Sequence, residues 1–327
     1  MHVWNDIDTE MMRFLIMGAG ALGSALGGFL SKARHAVTFV GRAPHMTAVR
    51  EQGLRITGIW GDHVVKSIDA RTDTAGLERG AFDVIVITTK SYDTANAVAA
   101  IEHLVAADTL VCSYQNGLGN AETIAETVGW PRTVGARAIY GVRLAEPGCA
   151  EVTVIAEPTA LGVYDADAPA DRVRAIAALM NDAGVPTVYT DRIATVLWAK
   201  VAYNCALNPL SALLDVPYGA LLETDHARAV MREVITELYD VGHAMKIPLA
   251  PPTAETYIRL LYEELIPPTA AHYASMREDL RLGRRTEIDA LNGAICRYGS
   301  EHDVPCPTNA FLTRLIHARE HAFGITY

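Results

Sequence analysis

Basic residues are in deficit. The chain has 28 Lys and Arg against 38 Asp and Glu, a formal net charge of -10. A nucleic-acid surface needs a basic patch, so this balance argues against nucleic acid as a partner. It leaves room for a few arginines gathered around a single phosphate. Cysteine is scarce: five residues stand at 112, 149, 205, 296 and 306, an odd count with no C-x-x-C spacing. Reduced thiols in a cytoplasmic protein are the expectation. Internal repeats and low-complexity tracts are missing. So are a G-x-S-x-G elbow and a Walker loop, which leaves acyl and phosphoryl transfer without their parts. A long apolar run free of glycine is lacking too. Residues 14–31 carry no charge between Arg13 and Lys32, but glycine takes five of those positions. No basic segment precedes them, and a strand-like run follows. A signal peptide or a membrane span is therefore rejected.

Metal ligands are also sparse. His317, Glu320 and His321 fit H-x-x-E-H, a zinc-peptidase pattern. A zinc site needs a third protein ligand, which comes downstream in that class. Only six residues follow His321, and none is His, Asp, Glu or Cys. Cys296, His302 and Cys306 have no ligand spacing. No metal is expected.

What is present is a globular balance, 50% hydrophobic and 20% charged, over 327 residues. That length suits two domains. Residues 14–17 are an apolar run ending at glycine, a buried strand. Residues 21–32 have helical composition. Residues 36–40 read as a second strand, 83–88 as a third buried on both faces, and 109–114 as a fourth. Residues 151–155 and 186–189 are further strand-like runs. Strands alternating with helices imply a doubly wound, mostly parallel sheet. Beyond about Asp191 helical patterns take over, punctuated by proline. The expected organisation is an extension over 1–11, an α/β Rossmann domain over 12–190, and an all-α substrate domain over 191–327.

Gly18, Ala19, Gly20, Ala21, Leu22 and Gly23 spell G-x-G-x-x-G. Alone this is a weak signal. Here it follows a strand and opens a helix in a β-α-β unit of about thirty residues. Gly18 permits the tight turn, Gly20 lets backbone approach a pyrophosphate, and Gly23 lets helix and strand pack closely. The helix N-terminus supplies N–H groups and the positive dipole end. NAD sites usually end the second strand with a carboxylate that binds the ribose 2′-OH. This strand ends Val40, Gly41, Arg42. A guanidinium binds a 2′-phosphate bidentately where a carboxylate would repel it, so NADP(H) is favoured.

The run from Leu197 to Leu210 is apolar but carries Lys200, Asn204 and Asn208 at i, i+4 and i+8. At 3.6 residues per turn these share one helix face. Buried and unpaired, each would cost about 1–3 kcal/mol. The stripe must meet a polar partner, a ligand or solvent.

The fingerprint, this Lys-x-x-x-Asn-x-x-x-Asn-Pro-Leu run and a later segment together resemble the ketopantoate reductase family. The later segment comprises Ser275 to Asp279, Gly283 to Asp289, and Leu291, Asn292 and Gly293. The likeness runs from about Met12 to near the C-terminus. It implies roles residue by residue. Gly18 to Gly23 would hold the cofactor pyrophosphate and Arg42 the 2′-phosphate. Lys90 and Gly141 would contact cofactor, and Asn116 would serve cofactor and substrate. Lys200 would be catalytic. Asn204, Asn208 and Ser275 would bind substrate. Glu287 would act in catalysis at the junction of substrate and cofactor, pairing with Lys200. The chain departs from the family at Tyr218 and His272, where well-known members carry asparagine. That leaves fold and hydride chemistry untouched and bears on which 2-oxo acid is reduced.

The expected reaction is NADPH-dependent reduction of 2-dehydropantoate or a related 2-oxo acid, with Lys200 giving the proton. A paralogous dehydrogenase of another 2-oxo or 2-hydroxy acid is the alternative. A non-catalytic NADP sensor is the third reading, and it has no use for Lys200 and Glu287. The expected partner is a small molecule, with no nucleic acid and no membrane; a homodimer is allowed.

Overall fold

A computed structural model describes residues 11–325. The expected extension lies, Met11 aside, outside the described residues. The chain divides into two compact units. The first takes residues up to 115 and 121–193; the second takes 116–120 and everything from Ala194 onward. The short segment 116–120 thus leaves the sequence-order division and joins the helices.

The first unit runs β1 (Arg13–Met17), α1 (Ala21–Lys32), β2 (Ala36–Val40), α2 (Ala43–Gln52), β3 (Leu54–Gly58), β4 (His63–Val65), β5 (Ile68–Arg71) and β6 (Val84–Ile87). It continues with α3 (Thr94–Ile101), β7 (Leu110–Ser113), α4 (Asn120–Val128), β8 (Thr133–Glu146), β9 (Cys149–Val163), α5 (Ala170–Asp182) and β10 (Thr187–Tyr189). The strands form one sheet in the order β4-β3-β9-β8-β7-β6-β1-β2-β5, with β10 beside β9. All pairings are parallel except β3 with β4 and β8 with β9. This is the expected doubly wound, mostly parallel sheet. The order turns at β1, with β2 on one side and β6 on the other. Ligands of open α/β sheets bind at the carboxyl ends of such a reversal.

Continuous apolar strands follow from cover on both faces. Phe14, Ile16, Val84 and Val86 belong to one hydrophobic core, while Leu15, Ile85 and Ile87 belong to another. Strands β3, β4 and β5, and most of the long β8–β9 hairpin, were not legible beforehand. They are short or half-exposed, and β8 is interrupted by glycine and arginine, so no sustained apolar run marks them.

The second unit is helical: α6 (Ile193–Leu214), α7 (Asp225–Ala244), α8 (Ala254–Leu260), α9 (Ser275–Arg281), α10 (Asn292–Glu301) and α11 (Pro307–Ala322). Among its described residues there is no strand. Pro209 lies inside α6. Proline has no N–H, so the carbonyl of Cys205, four residues earlier, loses its helical donor. The buried Asn292 side chain replaces it, donating from Nδ2 to the Cys205 oxygen at 3.1 Å. The start of α11 is closed by Glu237 of α7, whose carboxylate accepts from the backbone N–H groups of Thr308 and Asn309 at 2.8 and 2.9 Å. A carboxylate there satisfies orphan donors and meets the positive helix end.

All five cysteines are free. Burial pushes the thiols of Cys205 and Cys112 well up, and those of Cys296 and Cys306 to about 11 and about 12. None of these four is a poised nucleophile. Among the described residues no helix is long and apolar enough to cross a membrane, and no cluster of three or more His, Cys, Asp or Glu could hold a metal ion.

Candidate active site

In the first unit the fingerprint glycines each meet a distinct constraint. Gly18 leaves β1 with φ +89°, a conformation that favours glycine, and an added Cβ would stand 2.7 Å from the Thr89 backbone nitrogen. The backbone N–H groups of Gly18 and Ala19 both donate to the Val40 carbonyl at 2.9 Å, tying the loop to the end of β2. Thr88 Oγ1 donates to the Gly18 carbonyl at 2.9 Å. Gly23 packs on the sheet: a Cβ there would meet Thr88 Oγ1 at 2.5 Å and Ile16 Cγ2 at 2.8 Å. Gly20 is different. Around its absent Cβ the nearest atom is the Gly18 carbonyl oxygen at 3.7 Å, so that side is open. The first turn of α1 has no side-chain cap and no acidic residue. Packing thus accounts for Gly18 and Gly23 without a ligand, whereas Gly20 and the uncapped N-terminus form a cradle that suits a pyrophosphate.

Arg42 is exposed at the N-cap of α2, and its side chain makes no hydrogen bond or ion pair among the described residues. Its backbone carbonyl accepts from the N–H of His45 at 3.1 Å. His45 is buried and was missed in the sequence, where a lone histidine carries no pattern. The Gly148 N–H donates to its Nδ1 at 2.8 Å, so Nε2 carries the proton and donates to Ser24 Oγ of α1, also 2.8 Å away. Burial first, and the Arg42 charge second, hold the His45 pKa below its ordinary value. A neutral imidazole therefore fastens the helix that starts at Arg42 to α1 and to the β8–β9 turn. Lys90 is half-buried just after β6, where its carbonyl accepts from the Asp93 N–H at 2.9 Å. Gln115 braces that loop, donating from Nε2 to the Thr89 carbonyl and to Thr94 Oγ1 at 3.1 and 2.8 Å. Gly141 lies mid-strand in β8, packed against Thr153 and Val154 of β9. Its cofactor role rests on the resemblance alone.

In the second unit, α6 presents the polar stripe as its spacing predicts. Lys200 and Asn204 are half-buried and Asn208 is buried. Lys200 Nζ donates to Asn116 Oδ1 at 2.7 Å, which joins two residues 84 apart in sequence. The Asn204 side chain makes no hydrogen bond among the described residues, so its amide can meet a ligand. Asn208 is already engaged: the Tyr218 hydroxyl donates to its Oδ1 at 2.8 Å. Burial pushes the Tyr218 phenol far above its ordinary pKa, so it stays a donor. Tyr218 also meets the Tyr203 ring edge-on at 5.8 Å and the His272 ring at 5.4 Å. The Tyr218 N–H donates to the His272 carbonyl at 2.9 Å. The two departures from the family pattern are therefore neighbours. Ser275 is exposed at the first position of α9. Glu287 is half-buried at the entry of the single turn Ile288–Ala290.

Asn116 owes its place to the turn that follows it. Gly117 has φ +85°, and an added Cβ would lie 2.5 Å from the Ala290 carbonyl oxygen. The next N–H, of Leu118, donates to that same carbonyl at 2.8 Å. Glycine is required there by both conformation and close approach. The Gln115-Asn116-Gly117 run is the sequence signal for this turn.

Two family profiles cover this chain. Ketopantoate reductase PanE/ApbA matches residues 14–166, and its C-terminal counterpart matches residues 192–320. The chain belongs to the ketopantoate reductase family. A 2-dehydropantoate 2-reductase of Aquifex aeolicus is 38% identical over 95% of this chain and 97% of its own. A PanE/ApbA family ketopantoate reductase from Ralstonia eutropha JMP134 superposes with a TM-score of 0.85 at 32% identity, over 96% of this chain and 100% of that one. A D-mandelate dehydrogenase solved with NADH and anilino(oxo)acetate superposes at 0.86 with 26% identity, over 96% and 100%. Family membership agrees with the α/β unit followed by helices. The similar proteins thus comprise ketopantoate reductase relatives and one solved structure of a different name.

Proposed function

We propose that this chain reduces 2-dehydropantoate, or a closely related 2-oxo acid, to the 2-hydroxy acid with NADPH. An oxidoreductase acting on CH–OH groups is the class its family membership supports. The observation that carries the finer reading is the 2.7 Å bond from Lys200 Nζ to Asn116 Oδ1. It aims an ammonium donor on a half-buried helix face that also bears Asn204.

The residues of the first unit fit a phosphorylated dinucleotide. The open side of Gly20 and the uncapped start of α1 suit the pyrophosphate, and exposed Arg42 suits a 2′-phosphate. When bound, the dinucleotide supplies the hydride. Negative charge then grows on the substrate C2 oxygen. Lys200 stabilises that charge and gives its proton to the oxygen, while Asn116 fixes the direction of the ammonium. Asn204 donates to the substrate, Ser275 holds its carboxylate end, and Glu287 accepts from a substrate hydroxyl. Residues 12–190 serve as the cofactor domain and 191–327 as the substrate domain, in the cytoplasm.

A second reading, a paralogous dehydrogenase of another 2-oxo acid, has one observation in its favour. Tyr218 occupies the Asn208 carbonyl and adds an aromatic face beside His272. A panel of 2-oxo acids assayed by NADPH absorbance separates the two. The first reading expects measurable ketopantoate reduction, faster with NADPH than with NADH. It also expects Lys200→Ala to lower kcat far more than it changes NADPH affinity, because the charge it meets is present mainly in the transition state. Turnover of another 2-oxo acid without any of ketopantoate favours the second reading. Near-normal kcat in Lys200→Ala removes that residue from the chemistry.

A further inference from the structure

The H-x-x-E-H run lies on α11, and two of its members are tied into the helical unit. Glu320 is fully buried, and its Oε1 accepts the backbone N–H of Thr286 at 2.6 Å. His317, one turn earlier on the same face, bonds through Nε2 to Asp289 Oδ1 at 2.9 Å. Arg285 Nη2 donates to the other oxygen of that carboxylate at 3.0 Å. These contacts bracket Glu287, one residue before it and two residues after it. Thr286 Oγ1 accepts the Ile288 N–H at 3.3 Å and tightens the same turn from inside.

The turn is held on its far side as well. The Ala290 carbonyl accepts the N–H of Leu118 at 2.8 Å, and Gly117 packs directly on Ala290. Two residues before Leu118 stands Asn116, the acceptor for Lys200. An unbroken set of contacts thus runs from α11 through residues 286–290 to the Asn116–Lys200 pair. A carboxylate as deeply buried as Glu320 is costly unless it is well hydrogen-bonded. Here one of its oxygens accepts a backbone N–H next to Glu287.

We infer that Glu320 and His317 are positioning residues: they clamp the 286–290 turn so that Glu287 and the Asn116–Lys200 pair keep their places. The inference rests on the proposed function for its kinetic consequence, but not for its structural one. Misplacing a catalytic group by about 1 Å can cost on the order of a hundredfold in rate.

The test uses the full chain with His317→Ala, Glu320→Ala and Glu320→Gln, each also in a Lys200→Ala background. Steady-state kinetics are read beside hydrogen exchange at the amides of Leu118 and Thr286. His317→Ala and Glu320→Ala are expected to lower kcat about tenfold or more with the KM for NADPH unchanged. Glu320→Gln keeps an oxygen that accepts from Thr286 and should restore most of the rate. In the Lys200→Ala background the same losses should shrink to about twofold or less, because residues acting through one group are not additive. Amide exchange at Leu118 should quicken in both alanine variants. Equal losses in both backgrounds, kcat within about twofold of the unmutated chain in folded variants, or unchanged exchange would each overturn the clamp. If Glu320→Ala does not fold, the half-exposed His317→Ala decides. If the unmutated chain turns over no 2-oxo acid, the proposed function fails, and exchange alone decides the clamp: faster supports it, unchanged overturns it.

Discussion

Tyr218→Phe removes one oxygen atom and little else. The ring keeps its edge contact with Tyr203 and its neighbour His272, so apolar burial is almost unchanged. What is lost is the 2.8 Å bond to Asn208 Oδ1, between residues 3% and 5% exposed. A buried acceptor stripped of its donor costs about 1–3 kcal/mol, more than the net worth of an ordinary hydrogen bond. With a urea dependence of roughly 2 kcal/mol/M, the unfolding midpoint should fall by about 0.5–1.5 M. Function should move too. On the proposed function, the Tyr218 hydroxyl holds the Asn208 carbonyl and leaves its amide nitrogen for the substrate. Without it the amide can turn over, so KM for the 2-oxo acid should rise while kcat changes less. Urea titration by fluorescence, with steady-state kinetics on the same preparation, checks both arms. A midpoint shift worth under about 0.5 kcal/mol, the range of a featureless surface change, would refute the energetic argument. An unchanged KM would refute the orienting role of Tyr218. Tyr218→Asn together with His272→Asn, restoring the family residues, should raise kcat/KM for ketopantoate; if it harms an enzyme that already prefers ketopantoate, the departures are neutral.

Arg42→Ala should weaken NADPH binding by about 1.5–3 kcal/mol, roughly 10- to 150-fold, and leave NADH binding nearly unchanged, as read by cofactor titration; equal binding of both cofactors by the unmutated chain would end the assignment. Gly18→Ala should lose cofactor binding and destabilise the first unit by more than about 1 kcal/mol, because alanine must enter at φ +89° against the Thr89 backbone; thermal unfolding beside titration measures both. His45 is held below its ordinary pKa of 6.5. The unfolded chain therefore binds that proton more readily than the native one, so its contribution is full above about pH 6.5 and is lost as pH falls below it. His45→Gln should flatten that part of the stability profile between about pH 5 and 7, and an unaltered slope would show that His45 does not set it.

Local signals were enough for the frame of this protein. The Gly18 to Gly23 run after an apolar strand and before a helix is readable because each glycine answers a short-range constraint. The arginine ending β2 and the four-residue spacing of Lys200, Asn204 and Asn208 are equally local. Continuous apolar strands such as β6 announce burial on both faces. The half-exposed β8–β9 hairpin does not, since its pattern depends on partners far along the chain. Tertiary structure alone decided which polar groups meet. Asn116 leaves the sheet domain's sequence to accept from Lys200, 84 residues away. Tyr218, seen in the sequence only as a departure from the family pattern, is buried and bonded to Asn208. Asn292 serves a carbonyl that Pro209 deprived of its donor. Glu320, one of the three residues of a metal-like pattern, holds Thr286. In each case the sequence supplies a donor or acceptor that must be satisfied once buried. Which partner satisfies it depends on chain crossings separated by tens of residues, and periodicity carries no record of those.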